Sequence, residues 1–208
     1  MRDPVPQPVP ALPLQPRAER TRKALIAAAE ALAAAGGEAA VTTTSAAGAA
    51  GVSVGAVYRY FPDREALLLA AYDASVDAVI DECRAALTDL PETMPGADAA
   101  RRLLATYLHA AAGRAGHREL LRAMRRIRPI EADHGPASDR VVTGLLAPFL
   151  ARYGQRSGAG GERLHFLNVL MGTLVDLYLV TEAADMRQRL HAEIEAHMLL
   201  ALQRLEIS

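Results

Sequence analysis

Residues 42 to 64 hold the side chains best suited to do chemistry in this chain, with Thr43, Thr44, Ser53, Tyr58, Arg59, Tyr60 and Arg64 falling close together. Hydroxyl and guanidinium groups hydrogen-bond phosphate oxygens, and an arginine can also take O6 and N7 of guanine in a major groove. The chemistry implied is recognition of a nucleic acid. Material for bond making is poorer. His109, His117, His134, His165, His191 and His197, with Asp176 and Tyr178, are the candidates for a small-molecule enzyme. None stands at the His-x-x-x-His or Cys-x-x-Cys spacing that metal sites favour, and no nucleophile elbow occurs. No catalytic residue, metal ligand or cofactor is assigned. The run Gly154 to Gly161 lacks the Gly-Lys-Ser/Thr ending of a phosphate loop and follows no strand, so it reads as a flexible connection.

The recognition residues need short helices to hold them. Thr42 can cap a helix of about two turns by accepting backbone N–H bonds, and Gly51 falls where such a helix needs a left-handed exit. Val52 fills the corner, and Ser53 can cap a second helix from Val54. In that second helix Val57 and Phe61 share an inward face, while Val54, Tyr58, Arg59 and Tyr60 lie on or beside the outward one. Helix, tight turn, helix is the helix-turn-helix plan. Taken alone, this helix also fits an ordinary amphipathic helix with half-buried tyrosines. Its surroundings break the tie: an Ala/Leu/Ile helix over Ala24 to Ala35 ends at Gly36 and Gly37, and Pro62 and Asp63 open a long fourth helix.

With that context, residues 18 to 75 resemble the TetR family of transcriptional regulators. The matching residues are Thr21 and Arg22, Gly37, Thr42, Thr43 and Ala47, the run Ala50 to Ser53, Gly55, Tyr58, Tyr60 and Phe61, then Arg64, Glu65 and Leu67. Ala56 stands where the family usually has Thr, Ala46 where it has a larger aliphatic residue, and no aromatic residue precedes Tyr58. The resemblance implies an all-α chain, with an N-terminal three-helix helix-turn-helix DNA-binding domain and a C-terminal helical domain for ligand binding and dimerisation. It implies a homodimer, usually a repressor, that reads a pseudo-palindromic double-stranded DNA operator and is released by a small-molecule effector. By the same resemblance Thr43 and Thr44 touch phosphate, Tyr58, Tyr60 and Arg64 position the DNA backbone, and Val54, Ala56 and Arg59 face bases. Ser53 completes the DNA-binding set and Gly55 permits close approach. A dimeric helical interaction module without DNA reading is the alternative, made worth naming by Ala56.

At 208 residues the chain has room for two domains. The expected division is a Pro-rich disordered arm over 1–16, the helix-turn-helix domain over 17–62, and an effector-binding and dimerisation domain over 63–208, with 63–85 as the connecting helix. Half of the 12 prolines lie in that arm. The net charge is −1, which argues against a general nucleic-acid coat. The first 23 residues nevertheless carry +3, a charge suited to lying near phosphates. No apolar run reaches membrane-spanning length and no signal-peptide core occurs, so a cytoplasmic protein without membrane partners is expected. The single cysteine, Cys83, has no intrachain partner and reads as a packed side chain.

Beyond residue 75 the reading rests on helical pattern. Helices are expected from Asp63 for about six turns, over Ala97 to Gly113, from His117 to about Ile127, and from Ser138 to Tyr153 with a kink at Pro148. The last two run from about Glu162 to Thr181 and from Ala184 to Leu205. Their stripes, Leu164, Leu167, Met171, Leu174 and Tyr178, then Met186, Leu190, Ile194, His197, Ala201 and Leu205, suit either dimerisation or an intrachain core. Gly172 would let backbones approach closely. Residues 114 to 128 carry +5, read as an anion site around Arg118 and Arg122 or, preferably, as a face paired with acidic neighbours. For the effector, Tyr107, Arg122, Met124, Phe149, Asn168, Met171 and Asp176 are the candidates, being polar or polarisable groups on otherwise apolar helices.

Overall fold

The computed structural model describes residues 15–128, 140–154 and 161–204, leaving aside the side chains of residue 15 and of 161–166. The expected N-terminal arm, the loop carrying His134, the Ser138 cap, Leu164 and Leu205 as stripe residues, and His165 as an enzyme candidate lie outside that description. All described regular structure is helical.

α1 runs Gln15–Ala40, α2 Thr43–Ala49 and α3 Val54–Tyr58. α1 starts well before Ala24, and the two glycines end its first run as expected: Gly36 and Gly37 leave helical geometry, Gly37 at φ +69°, and only a short piece follows beyond the kink. Thr42 caps α2 by accepting from the Ser45 backbone N–H, and Ser45 answers by accepting from the Thr42 backbone N–H, which is a reciprocal capping box. Gly51 takes φ +66° between the helices, a conformation that costs an L-residue about 1–2 kcal/mol. Ser53 caps α3 through the Ala56 N–H at 3.2 Å. Ala46, Ala47, Val57 and Phe61 are buried in one core with Leu25, Ala29 and Ala33 of α1.

α4, Arg64–Asp89, is capped by Asp63 and carries one long buried stripe from Leu67 to Leu87. It packs on α1, on α5 (Gly96–Gly113) and on α6 (His117–Ile127). Its last turn is closed by Arg152, whose guanidinium donates to the Leu87 and Leu90 carbonyls, groups a helix end leaves without an internal partner. A π-helical segment, Val142–Leu146, leads into α7, Ala147–Tyr153. Pro148 lacks the N–H that would return to Gly144, and the Gly144 carbonyl accepts from Arg84 Nε at 3.4 Å instead. The expected kink is thus a local widening of the helix.

α8, Gly161–Val180, and α9, Ala184–Arg204, lie against each other and over α5 and α6. Ile194 is fully buried and Leu190 nearly so, while Leu177, Met186 and Leu200 stay exposed. The Leu190 and Ile194 part of the stripe is therefore intrachain core. One connected hydrophobic core runs from Leu25 to Leu202.

The N-terminal end of α6 touches α1. Gly116 adopts φ +80°, and a Cβ there would come within 2.7 Å of the Glu30 carbonyl and 3.0 Å of the Ala34 nitrogen. Only a residue without a side chain lets the two backbones approach so closely.

Candidate nucleic-acid interface and ligand cavity

The outward surface of the helix-turn-helix is built by the caps. With Ser53 holding the first turn of α3 and Val57 fully buried, Val54 and Tyr58 project outward at 37 % and 54 % exposure. The Tyr58 hydroxyl lies 3.4 Å from Thr43 Oγ1, so one side chain from each helix meets at the surface. Arg59 is exposed, with its guanidinium 5.6 Å over the Tyr60 ring and Nη2 donating to the Tyr60 hydroxyl at 3.3 Å. Thr44, Gly55 and Ser53 share the exposed side, and Ala56 and Tyr60 are half-buried. A Cβ on Gly55 would meet only Ser53 Oγ at 4.0 Å, so the chain itself has no steric need for glycine there.

Arg64 is engaged within the head. Its Nε donates to the Val41 carbonyl at 2.6 Å and its Nη2 to the Glu38 carbonyl at 2.7 Å, with the Glu38 carboxylate at 3.4 Å. The guanidinium closes the end of α1, a duty fixed by the position of Arg64 at the first turn of α4. Glu38 also accepts from Arg126 of α6, so one carboxylate ties together α1, α4 and α6.

The arginine-rich stretch is largely paired with acidic neighbours. Arg114 faces Glu30, Arg122 bridges Glu119 and Glu182, Arg125 pairs with Asp176, Arg126 with Glu38 and Arg128 with Asp73. An anion site formed by Arg118 and Arg122 is not supported, because Arg122 already donates to Glu119 at 2.7 Å and to Glu182 at 2.9 Å.

A cavity of about 250 Å3 opens between α4, α5, α6, the π segment, α7, α8 and α9. The structure brings six of the seven candidate effector residues to its wall: Tyr107, Met124, Phe149, Asn168, Met171 and Asp176. Arg122 is the exception. It turns outward to Glu182 and the Val180 carbonyl, and the neighbouring Arg125 lines the cavity in its place. Arg125 Nε donates to Asp176 Oδ2 at 2.7 Å, and Nη2 donates to the same oxygen. The sequence signal for Arg125 was its place beside Met124, four residues after the buried Leu121. Burial pushes the Tyr107 phenol above its ordinary pKa, with the Asp176 charge adding to the effect, so it stays a neutral hydroxyl. Gly172 also faces the cavity, and a Cβ there would meet nothing within 4 Å. It opens space rather than serving close backbone approach within the chain.

Two further groups sit away from the cavity centre. Cys83 is fully buried, its thiol pushed up to about 12 by burial and then by Glu82, and so is inert. His117, also buried, has Nδ1 2.7 Å from Ser75 Oγ, which accepts from Arg114 Nε at 3.4 Å. Burial first and the Arg114 charge second lower the imidazole to about 4. Among the described residues no group of three or more His, Cys, Asp or Glu could hold a metal ion, and no helix is long and apolar enough to cross a membrane.

Residues 25–71 match the family description "Bacterial regulatory proteins, tetR family", the segment that holds the capped helix pair and the start of α4. The chain has the fold of the TetR-family transcriptional regulators. Among solved structures, the TetR family repressor AlkX from a Dietzia strain, implicated in biodegradation of n-alkanes, superposes with a TM-score of 0.64 at 20 % identity, covering 89 % of this chain and 96 % of that one. A TetR transcriptional regulator from a Rhodococcus species gives 0.62 at 20 % identity with coverage of 89 % and 96 %. The fatty acid degradation regulator FadR from Bacillus halodurans gives 0.55 at 18 % identity with coverage of 88 % and 94 %. No curated protein sequence matches the chain. The TetR-type head thus corresponds to α1 to α3 and the start of α4, and the cavity belongs to the helical part that follows.

Proposed function

We infer that the chain is a homodimeric cytoplasmic transcriptional regulator, working as a repressor, that reads a pseudo-palindromic DNA operator and is released by a small molecule held in the cavity. The head spans residues 17–62 and the effector-binding and dimerisation part 63–208. The observation that carries the reading is the outward row of Val54 and Tyr58 on α3, capped by Ser53, with Arg59 directly after it, beside a Gly55 that the fold itself does not require.

Each group has a defined task. Thr43, Thr44, Ser53, Tyr58 and Tyr60 hydrogen-bond phosphates and fix register, and Arg59 with Val54 and Ala56 reads base edges. Gly55 lets the α3 backbone approach the duplex. Arg64 holds the head's own geometry instead of touching DNA. Two-fold pairing of two such heads sets the half-site spacing. The exposed Leu177, Met186 and Leu200 on α8 and α9 support those helices as the dimer surface. Occupancy of the cavity bears on α6, and α6 reaches the head through Arg126 and Glu38 and through Gly116 against α1. A ligand and an operator that prefer different placements of α6 weaken each other reciprocally.

The test is fluorescence anisotropy with labelled duplexes across a salt series, alongside sedimentation analysis of the protein alone. Salt-dependent duplex binding by a dimer is the expected result. A monomer, or no duplex binding even at low salt, would remove this function.

A further inference from the structure

Among the described residues the cavity wall carries few polar groups. Apart from the hydroxyls of Tyr72 and Tyr107, they come from Arg125, Asn168 and Asp176, and the remaining lining is aliphatic, aromatic or thioether. Arg125 and Asp176, 22 % and 15 % exposed, form a two-donor ion pair within the wall.

That pair decides what charge a ligand can carry. A carboxylate seeking Arg125 would have to compete with Asp176, and a cation seeking Asp176 with Arg125, each at the cost of breaking a largely buried ion pair. A neutral hydroxyl or carbonyl leaves the pair intact. A carboxylate offers about four acceptor sites, so Asp176 can take a hydroxyl proton while still holding Arg125, and the Tyr107 hydroxyl can donate to a ligand oxygen.

The shape is set by α8. Asp176 and Asn168 lie eight residues apart, about 12 Å along the helix, and Gly172 between them leaves the wall open at its midpoint. Around that length stand Leu145, Phe149, Leu167, Met198 and Leu202. We propose that the cavity takes an uncharged, elongated aliphatic molecule with one hydrogen-bonding end, an alcohol or ketone rather than a fatty acid, its polar end against Asp176 and Tyr107. This rests on the reading of the cavity as the effector site.

The experiment titrates the purified full-length protein with 1-decanol and with decanoate by calorimetry, in wild type, Asp176→Asn and Gly172→Leu. Wild type should bind the alcohol at least about tenfold more tightly than the acid, a gap of one decade in Kd. Asp176→Asn removes one acidic partner of Arg125 and should shift that preference toward the acid, and Gly172→Leu should abolish binding of both by filling the cavity. Should Asp176→Asn fail to fold, the double variant Arg125→Gln with Asp176→Asn must still prefer the alcohol. Preference of wild type for decanoate, lost in Gly172→Leu, would overturn the ligand class and leave the cavity site standing. Binding of neither probe, or binding undiminished in Gly172→Leu, would overturn the class and the site together. Alcohol binding that leaves duplex affinity unchanged would uphold the class and remove the effector role.

Discussion

Arg126 on α6 donates to the carboxylate of Glu38 near the end of α1, while Arg125, the preceding residue, reaches the opposite way to Asp176 in the cavity wall. Two consecutive side chains of one helix thus hold the helix-turn-helix head and the cavity wall. The two ends of the head contact are unequal: the Arg126 side chain is 67 % exposed and Glu38 only 17 %.

That inequality gives a first prediction. Glu38→Gln removes the acceptor charge shared by Arg64 and Arg126 and should lower unfolding stability by about 1–2 kcal/mol, whereas Arg126→Ala should cost less than about 1 kcal/mol. Urea unfolding of both variants and of the double variant checks this. Equal losses for the two single variants would contradict the placement of Glu38.

A second prediction concerns Arg59 and Arg64, similar in type and five residues apart. Arg59→Ala should cost roughly 1–3 kcal/mol on the preferred duplex and relax base preference, with folding stability unchanged. Arg64→Ala removes donors to the Val41 and Glu38 carbonyls and should lower stability by about 2 kcal/mol. Melting curves beside duplex titrations separate the two. A fully stable Arg64→Ala with DNA binding weakened alike on all sequences would return Arg64 to the DNA surface.

Tyr58→Phe should weaken cognate and scrambled duplexes by similar factors, since a hydroxyl that meets phosphate carries no base information. Because the substitution removes no cation, the slope of log affinity against log salt should stay the same, as it counts the protein's cationic phosphate contacts. A selective loss on the cognate duplex would place Tyr58 on a base instead.

His117 predicts a pH dependence. Its folded pKa, about 4, lies below the ordinary 6.5, so between those values the unfolded chain binds the extra proton and stability falls as pH drops from about 6.5 toward 4. The full loss from this group is about 3 kcal/mol. Glu30 and Asp73 are shifted upward, chiefly by burial, and act in the opposite sense: the folded chain holds their protons more readily, so they favour it as the pH falls. Subtracting the curve of His117→Gln from that of wild type isolates the histidine. A difference that does not change between pH 7 and pH 5 would contradict a buried neutral imidazole.

Gly172→Leu should raise stability by about 1 kcal/mol, because a mid-helix glycine is replaced where a side chain meets open space. Thermal unfolding without ligand checks this. A loss of stability would show that the cavity cannot accept the side chain.

The head was legible in the sequence because its signals are local. Thr42, Gly51, Ser53 and Asp63 each act through backbone groups within a few residues, and all four serve as expected. The cavity was partly legible, since a polar residue on an apolar helical face marks a wall, and Tyr107, Asn168 and Asp176 met on that basis. The choice between Arg122 and Arg125 was not. Both stand among closely spaced arginines, and only the packing of α6 against α8 decides which one meets Asp176. Arg64 was hidden for a related reason: its partners, Val41 and Glu38, lie more than twenty residues away in α1 and the turn after it.

Selection of randomised duplexes by the purified protein, followed by titration of the winner and a scrambled control across a salt series, tests the central claim most directly. A palindromic winner, bound as a dimer and clearly preferred over the control, is the predicted result. No enriched sequence, with negligible duplex affinity even at low salt, would contradict it.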